Sequence, residues 1–162
     1  MQAGTPVTVA LEALGLSYRL HLHPGPVRSL EQAARERGLT PEQIVRSLLF
    51  RLEGGSFVLV LMPGPIKVSW PKLRRHLGVT RLTTASADEV ETVTGYPPGA
   101  VSPFGLLRPL RLLADRRLAD QKMISIGAGI RHAGVLLQAH DLLRTLEPEL
   151  GDFSEDATGR GP

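Results

Sequence analysis

The sequence has no cysteine, no long apolar run and no basic segment at its start. Without cysteine the chain cannot form a disulfide, a thiol nucleophile or a thiolate metal site, which is typical of a cytoplasmic protein. No apolar stretch approaches the roughly 20 residues that span a bilayer, so we expect no membrane partner. Because no basic residues precede the first apolar ones, we also expect no secretory signal.

The charge of the chain is unevenly distributed along its length. Five acidic residues and one basic residue lie between positions 147 and 162, which leaves 18 basic and 11 acidic residues, a net charge of +7, in the rest. Such a surplus is compatible with a polyanionic partner such as RNA, and equally with a soluble, arginine-rich surface. We predict one domain over residues 1–150. Because they are small and charged, residues 151–162 are predicted to form a disordered tail.

Local signals for helices and strands alternate along the chain. Capping boxes, N-terminal prolines and N-cap residues predict six helical starts. These are Thr5, Ser29, Thr40, Ser69, Ser86 and Asp141. Runs rich in Val, Ile and Leu predict strands between the helices, and Glu53-Gly54-Gly55 predicts a hairpin turn. We therefore predict an α/β (α+β) fold with a mixed, largely antiparallel sheet or a partly closed barrel, with peripheral helices.

One stretch, "TGYPPGAVSPFG" over residues 94–105, stands out because six of its twelve residues are glycine or proline. Glycine lets a backbone approach a ligand closely, and proline holds the chain in a fixed direction. The structural alternative is a rigid turn that packs Tyr96, Val101 and Phe104 into the core. Both interpretations place an ordered loop between a helix and a strand.

The loop resembles the characteristic loop of the YbaK/ProX family of aminoacyl-tRNA deacylases, which is homologous to the editing domain of bacterial prolyl-tRNA synthetase. The Gly-x-x-x-Pro motif of that family is matched by Gly99 to Pro103. The segments "LGLTPEQIVRSLLF" and "SIGAGIRHAGVLLQAHDLLRTL" resemble family segments in the same order. The resemblance covers about residues 5 to 146.

The resemblance implies an enzyme of translation fidelity that acts in trans on the acylated 3′ end of a tRNA. Such a hydrolase cleaves the ester of a mischarged aminoacyl-tRNA, and misacylated tRNA(Pro) is the expected substrate. The implied partners are tRNA and prolyl-tRNA synthetase, without cofactor or metal. The amino acid that is removed cannot be read from the sequence, because a methylene changes binding by only about 1–3 kcal/mol.

The resemblance also implies which residues form the site. Backbone amides aimed at the developing oxyanion need no titratable side chain. The predicted catalytic residues are Arg46, Gly99, Ala100, Val101 and Ser102. The predicted substrate-binding residues are Ser47, Tyr96, Pro103, Phe104, Gly127, Gly129 and His132.

Arg46 departs from the family pattern, which has a lysine at that position. Arginine stays protonated in proteins, so no mechanism can use a neutral amine here. A guanidinium can still hold a phosphate or a carbonyl oxygen through its forked donors. We therefore predict that Arg46 positions the substrate, with a solvent-facing strand arginine as the alternative.

No nucleophile and base can be paired from the sequence, so water is the predicted nucleophile. His21 and His23 share one strand face and could bind a metal, but a polar strand face is the preferred interpretation. We also predict that six arginines contact the acceptor stem, with a solvated surface as the alternative. They are Arg74, Arg75, Arg108, Arg111, Arg116 and Arg117.

Two other functions stay open at this stage. A non-catalytic module could bind tRNA ends or nucleotides, with the arginine at position 46 marking lost chemistry. A regulatory or interaction module could have kept only the fold, and it would then show no salt-dependent affinity for tRNA.

Overall fold

The structure is a computed structural model that describes residues 4–155. Its helices are α1 (Pro6–Ala13), α2 (Leu30–Arg37), α3 (Trp70–Leu77), α4 (Ala87–Thr94) and α5 (Ala139–Leu146). Its strands are β1 (Arg19–Leu22), β2 (Val45–Leu52), β3 (Phe57–Pro63), β4 (Leu82–Thr84), β5 (Arg111–Asp115), β6 (Met123–Gly127), β7 (Ala133–Gln138) and β8 (Glu149–Gly151). Short 3-10 turns occupy Pro41–Gln43 and Arg116–Asp120. Within the described range no helix is long and apolar enough to cross a membrane.

The strands form a five-stranded sheet in the order β4-β2-β3-β5-β8 and a three-stranded sheet in the order β1-β7-β6. The pairs β3–β5 and β5–β8 are parallel and the other four pairs are antiparallel. A parallel bridge between Ile44 and Ser125 brings the start of β2 beside β6. The predicted mixed, largely antiparallel α/β architecture is confirmed. Across residues 4–155 neither sheet closes into a barrel, so the barrel alternative is wrong.

The hairpin between β2 and β3 forms as the glycine pair predicts. Gly54 and Gly55 both have positive φ, at 93° and 95°, a conformation that glycine adopts without steric cost. The register sets Leu49 opposite Leu59. The turn therefore fixes which residues of β2 lie opposite which residues of β3.

The core lies on both faces of β3, which is buried along nearly its whole length. Leu59 and Leu61 belong to the larger apolar cluster, with α1 and the second sheet. Val58, Val60 and Met62 belong to a smaller cluster beneath α3. A strand that is covered on both faces has an apolar residue at nearly every position instead of at every second one, as β3 does.

The predicted helix caps form at four of the six starts through a side-chain oxygen that accepts a backbone N–H. The capping residues are Thr5, Ser29, Ser69 and Ser86. Thr40 opens the first 3-10 turn, where the Gln43 side chain closes the box. The prediction for Asp141 is wrong, because α5 begins at Ala139 and Asp141 lies in its first turn. The chain passes directly from β7 into α5, and the Ala139 N–H bonds to the Lys122 carbonyl instead.

The folded chain continues past the predicted boundary at residue 150. Gly151 ends β8, and Phe153 is 1% exposed within the smaller cluster. The buried Asp115 carboxylate accepts hydrogen bonds from the Phe153 N–H at 2.9 Å and the Ser154 hydroxyl at 2.7 Å. One aromatic side chain and one buried carboxylate thus order residues that their composition marked as disordered. The rest of the predicted tail, residues 156–162, lies outside the described residues.

Candidate active site

The glycine- and proline-rich loop follows α4 directly and forms a tight turn. Gly95 ends α4 with a φ of 84°. The Ala100 N–H donates to the Pro97 carbonyl at 3.0 Å, and Gly99 between them has a φ of 86°. Since a side chain at position 99 would be strained in this conformation, glycine sets the direction of the turn.

The second glycine-rich segment supports the loop from behind. A Cβ atom on Gly127 would overlap the carbonyl oxygen of Val101 and would lie 2.8 Å from that of Ala100. The Gly129 N–H donates to the Ala100 carbonyl at 3.0 Å. The end of β6 and the loop therefore lie in backbone contact, which only a glycine at position 127 allows.

Three amides of the predicted motif have no acceptor among residues 4–155. The Ala100 N–H is bonded within the turn, whereas those of Gly99, Val101 and Ser102 are not. Gly99 is exposed, Val101 is 8% exposed, and Ser102 is fully buried. Because Ser102 is fully buried, Gly99 and Val101 are the better candidates for contact with a ligand through their amides.

The loop lies at the junction of three cavities. The first, here called the apolar cavity, has a volume of about 460 Å³ and includes Phe50, Val68, Trp70 and Val90 in its wall. The second, the basic cavity, has a volume of about 500 Å³ and includes Arg28, Arg37 and Arg46. A third cavity of about 320 Å³ is lined in part by Arg131 and His132.

Five residues line both larger cavities and therefore form the wall between them. They are Arg46, Ser47, Leu48, Gly99 and Val101. Gly99 also lines the third cavity. The loop is therefore open to space that could admit a nucleotide.

Arg46 lies on β2 with its guanidinium bonded to backbone carbonyls. Its Nε donates to the Gly64 carbonyl at 2.6 Å, and its Nη2 donates to the Ile66 carbonyl. No carboxylate among the described residues pairs with it. Burial lowers the pKa of Arg46, yet an arginine remains a cation at neutral pH. Arg46 is thus a charge at the cavity wall, and it also holds the segment after β3 in place.

Ser47 follows Arg46 and carries an unused polar group. Its Oγ is buried and has no hydrogen-bond partner among the described residues. Leaving a buried hydroxyl unpaired costs about 1–3 kcal/mol. An atom of this kind in a cavity wall fits a ligand that supplies the missing hydrogen bond.

The structure places Tyr96 and Phe104 in the core instead of the cavity wall. The Tyr96 hydroxyl donates to the Phe104 carbonyl at 2.6 Å, and burial raises the pKa of Tyr96 to about 12. Both rings are at most 2% exposed. Their predicted role against the substrate is therefore corrected to packing, because the rings anchor the loop from within.

Of the other predicted residues, some support the loop from within and others line a cavity. Pro103 and Ala100 are buried, and the Ser102 hydroxyl accepts the Phe104 N–H at 3.1 Å, so all three support the loop. Gly127 lines the basic cavity, and Gly129 is buried behind the loop. His132 is exposed, has a φ of 59°, and accepts the Val27 N–H at its Nδ1.

His21 of β1 and His23, which follows that strand, do not form a metal site in the described residues. His23 Nδ1 donates to Glu36 at 2.5 Å, and His23 Nε2 accepts from Arg37 Nε at 3.0 Å. His21 packs edge-on against His23, and burial lowers the pKa of His21. Residues 4–155 contain no group of three or more possible metal ligands.

Sequence reasoning missed Arg37 and Trp70 as site residues. Arg37 is the last residue of α2 and lines the basic cavity, while Trp70 opens α3 and lines the apolar one. The ring of Trp70 packs edge-on against Phe50 at 5.3 Å. The one available signal was that Trp70 is the chain's sole tryptophan.

Comparison with known proteins agrees with this geometry. The profile of the aminoacyl-tRNA editing domain matches residues 24–145. The chain belongs to the aminoacyl-tRNA editing domain family. This membership confirms the family predicted from the loop.

Three similar proteins illustrate the range of the editing domain family. The multifunctional Ser/Thr-tRNA deacylase ProXp-y of Escherichia coli is 30% identical, over 88% of this chain and 87% of that protein. A proline–tRNA ligase of Bacillus licheniformis is 35% identical, over 85% of this chain but 25% of the ligase. A solved structure of a proposed trans-editing enzyme for prolyl-tRNA synthetase has a TM-score of 0.85, with 29% identity over 93% of this chain and 95% of that one.

The chain therefore spans about a quarter of that ligase. It spans most of the freestanding deacylase. The editing fold is thus shared with both kinds of protein.

Proposed function

We propose that this editing domain hydrolyses misacylated tRNA in trans, with misacylated tRNA(Pro) as its substrate. One observation carries the proposal: Gly99 and Val101, whose amides are unpaired in the described protein, line the same two cavities as Arg46 and as Ser47 with its unpaired hydroxyl. Donors that have no acceptor in the described protein meet there with a cation whose own hydrogen-bond partners are neutral carbonyls. An ester carbonyl is a ligand of matching chemistry.

In the proposed reaction, water attacks the ester carbonyl carbon and negative charge develops on the carbonyl oxygen. The Gly99 and Val101 amides stabilise that oxyanion, and the loss of one such donor typically costs about 2.7–4 kcal/mol. The bond from the acyl carbon to the ribose oxygen then breaks. The water proton passes to the departing ribose oxygen, with the neighbouring ribose hydroxyl as the relay, which leaves the free amino acid and the tRNA.

The two larger cavities suit different parts of the proposed substrate. Aromatic and aliphatic side chains, including Phe50 and Trp70, line the apolar cavity, which suits the uncharged parts of the acylated adenosine. No carboxylate lines the basic cavity among the described residues. Its positive charge suits the phosphates of the tRNA end.

The predicted acceptor-stem arginines divide into two sets. Arg111 pairs with Glu149 at 2.8 Å, Arg117 pairs with Asp115 at 3.2 Å, and Arg116 lies 3.9 Å from Asp152. Those three arginines therefore already lie beside carboxylates of the protein itself. The remaining three, which have no ion pair among residues 4–155, are the better candidates for phosphate contacts; they are Arg74, Arg75 and Arg108.

We place this activity in the cytoplasm, since tRNA charging there supplies the substrate, and we propose prolyl-tRNA synthetase as the source of the errors. The deacylase relative named for Ser- and Thr-tRNA widens the set of acyl groups to test.

The test is a panel of purified tRNAs carrying Cys, Ala, Ser or Thr, incubated with the wild type and with Arg46 variants. Release of at least one amino acid by the wild type is expected. A non-catalytic binder would instead bind the tRNA and leave every ester intact, and a module that kept only the fold would not bind it.

A further inference from the structure

A second guanidinium in the basic cavity makes more hydrogen bonds to the protein than that of Arg46. Arg37, at the end of α2, donates from Nε to His23 Nε2 at 3.0 Å, from Nη1 to Ser125 Oγ at 2.9 Å and from Nη2 to the Ala133 carbonyl at 3.3 Å. All three acceptors are neutral groups. The cation is therefore positioned by the protein but not neutralised by direct contact with a carboxylate.

The Glu36 carboxylate is joined to Arg37 by hydrogen bonds through an intervening ring. Because His23 Nε2 accepts from Arg37, its lone pair faces the guanidinium and its proton is on Nδ1, which donates to Glu36 at 2.5 Å. Glu36 also accepts from Gln32 at 2.9 Å. This chain fixes the ring orientation, as a carboxylate behind a histidine does in other sites.

The backbone beside Arg37 is shaped to receive its guanidinium. A Cβ atom on Gly134 would overlap the Arg37 Cζ and would lie 2.6 Å from its Nε and Nη1. No positive φ explains this glycine, so close approach is its role. Burial lowers the pKa of Arg37, but the group stays charged at neutral pH.

Arg37 has donors that the described protein does not use. A guanidinium has five N–H groups, and three of them are bonded as above, which leaves one on Nη1 and one on Nη2. The residue lines both the basic cavity and the third cavity. Two adjacent N–H groups on a fixed plane match the geometry of two phosphate oxygens.

We propose that Arg37 binds the 5′-phosphate of the substrate's terminal nucleotide, an inference that rests on the proposed function. The basic cavity reaches from Arg37 to Gly99 and Val101, so one nucleotide can place its phosphate on Arg37 and its acylated ribose at the loop. Arg37 is then a substrate-binding residue that sets the position of the ester.

The test compares the binding of adenosine 5′-monophosphate and of adenosine, measured by calorimetry. The wild type is expected to bind the monophosphate at least about tenfold more tightly, and Arg37→Gln is expected to remove that preference. Arg35→Gln is the matched control, because Arg35 is exposed on the same helix and lines none of the three cavities. Equal binding of the two compounds by the wild type would overturn the inference, as would a preference that survives Arg37→Gln.

If the Arg37→Gln protein does not fold, two further variants test the same guanidinium. Gly134→Ala and Ser125→Ala keep the charge but displace the guanidinium or release one of its anchors. Each is expected to reduce the preference for the monophosphate by several-fold, and an unchanged preference in both would contradict the proposal. Thermal unfolding checks that each variant is folded.

Deacylation of misacylated tRNA, assayed on the same samples, separates this inference from the proposed function. Arg37→Gln is expected to raise KM by about tenfold or more with little change in kcat, since it removes binding to a part of the substrate that does not react. Wild-type deacylation without a phosphate preference overturns the inference alone. A phosphate preference without any deacylation supports the phosphate site and overturns the proposed function.

Discussion

Replacing Gly127 by alanine should displace the reactive loop of this editing domain. A Cβ at position 127 would lie 2.8 Å from the Ala100 carbonyl oxygen and closer still to that of Val101. Ordinary carbon–oxygen contacts begin near about 3.3 Å. The loop must therefore retreat from β6 by at least about 0.5 Å, and its amides move with it.

The size of the effect follows from how tightly such sites must be held. A misplacement of about 1 Å costs on the order of 100-fold in rate, so we expect Gly127→Ala to lower kcat/KM by about 10- to 100-fold. Overpacking should also lower the free energy of unfolding by about 1–3 kcal/mol. Deacylation is measured well below the unfolding temperature of the variant, so that the folded enzyme alone is compared.

Gly25→Ala is the matched control for this change. A Cβ on Gly25 would meet no atom within 4 Å, and Gly25 lines none of the three cavities. It should leave both rate and stability close to wild type. Wild-type rates in a folded but destabilised Gly127→Ala protein would show that the loop position does not govern the reaction, and the proposed oxyanion wall would be wrong.

Three further predictions concern Arg46, Ser47 and Asp152. Arg46→Ala should cut deacylation steeply and lower the free energy of unfolding by about 1.5–3 kcal/mol, because two carbonyls lose a charged donor. Arg46→Lys should keep much of the activity. Wild-type rates in the alanine variant would refute the substrate-positioning role of Arg46. Ser47→Ala should lower kcat/KM by about 3- to 10-fold while leaving the unfolding temperature unchanged or higher, since its hydroxyl is unpaired in the described protein. Ser102→Ala, which removes a used acceptor, should show loss of stability instead, and a destabilised Ser47→Ala would contradict the assignment. The hydrogen bond from Lys72 lowers the pKa of Asp152 to about 2, below the unfolded value of about 3.9. Stability from this pair is therefore present above about pH 4 and lost as the pH falls toward 2. Thermal unfolding at several pH values should show a smaller loss in Asp152→Asn, and an identical loss would exclude this pair as its source.

Sequence reasoning succeeded where a short pattern has one physical meaning. The hydroxyls of Ser29 and Ser86 cap α2 and α4 as their spacing predicts, because a cap joins atoms three residues apart. The double glycine of the hairpin also specifies its own turn. The glycines and prolines of the loop restrict its backbone locally, and the family was predicted from the resemblance of that loop to a known motif.

Sequence reasoning failed where the environment of a side chain depends on segments that are distant in the sequence. Tyr96 and Phe104 could equally have faced a ligand or the core, and their contacts with the larger apolar cluster decided for the core. Phe153 is buried in the smaller cluster with Leu113 of β5 and Leu73 of α3, although its neighbours in the sequence are small and charged. Composition alone cannot reveal such a partner.

The amino-acid sequence by itself determined four of the helix starts, the hairpin and the stiffness of the glycine-rich loop, because each depends on atoms within a few residues. The tertiary structure alone decided which polar groups remain unpaired at the cavity wall. Arg37 meets Ser125 across 88 residues of sequence, and Gly127 meets Val101 through the packing of β6 against the loop. Both contacts join a strand residue to a helix or loop that is distant in the sequence, and no local pattern encodes them.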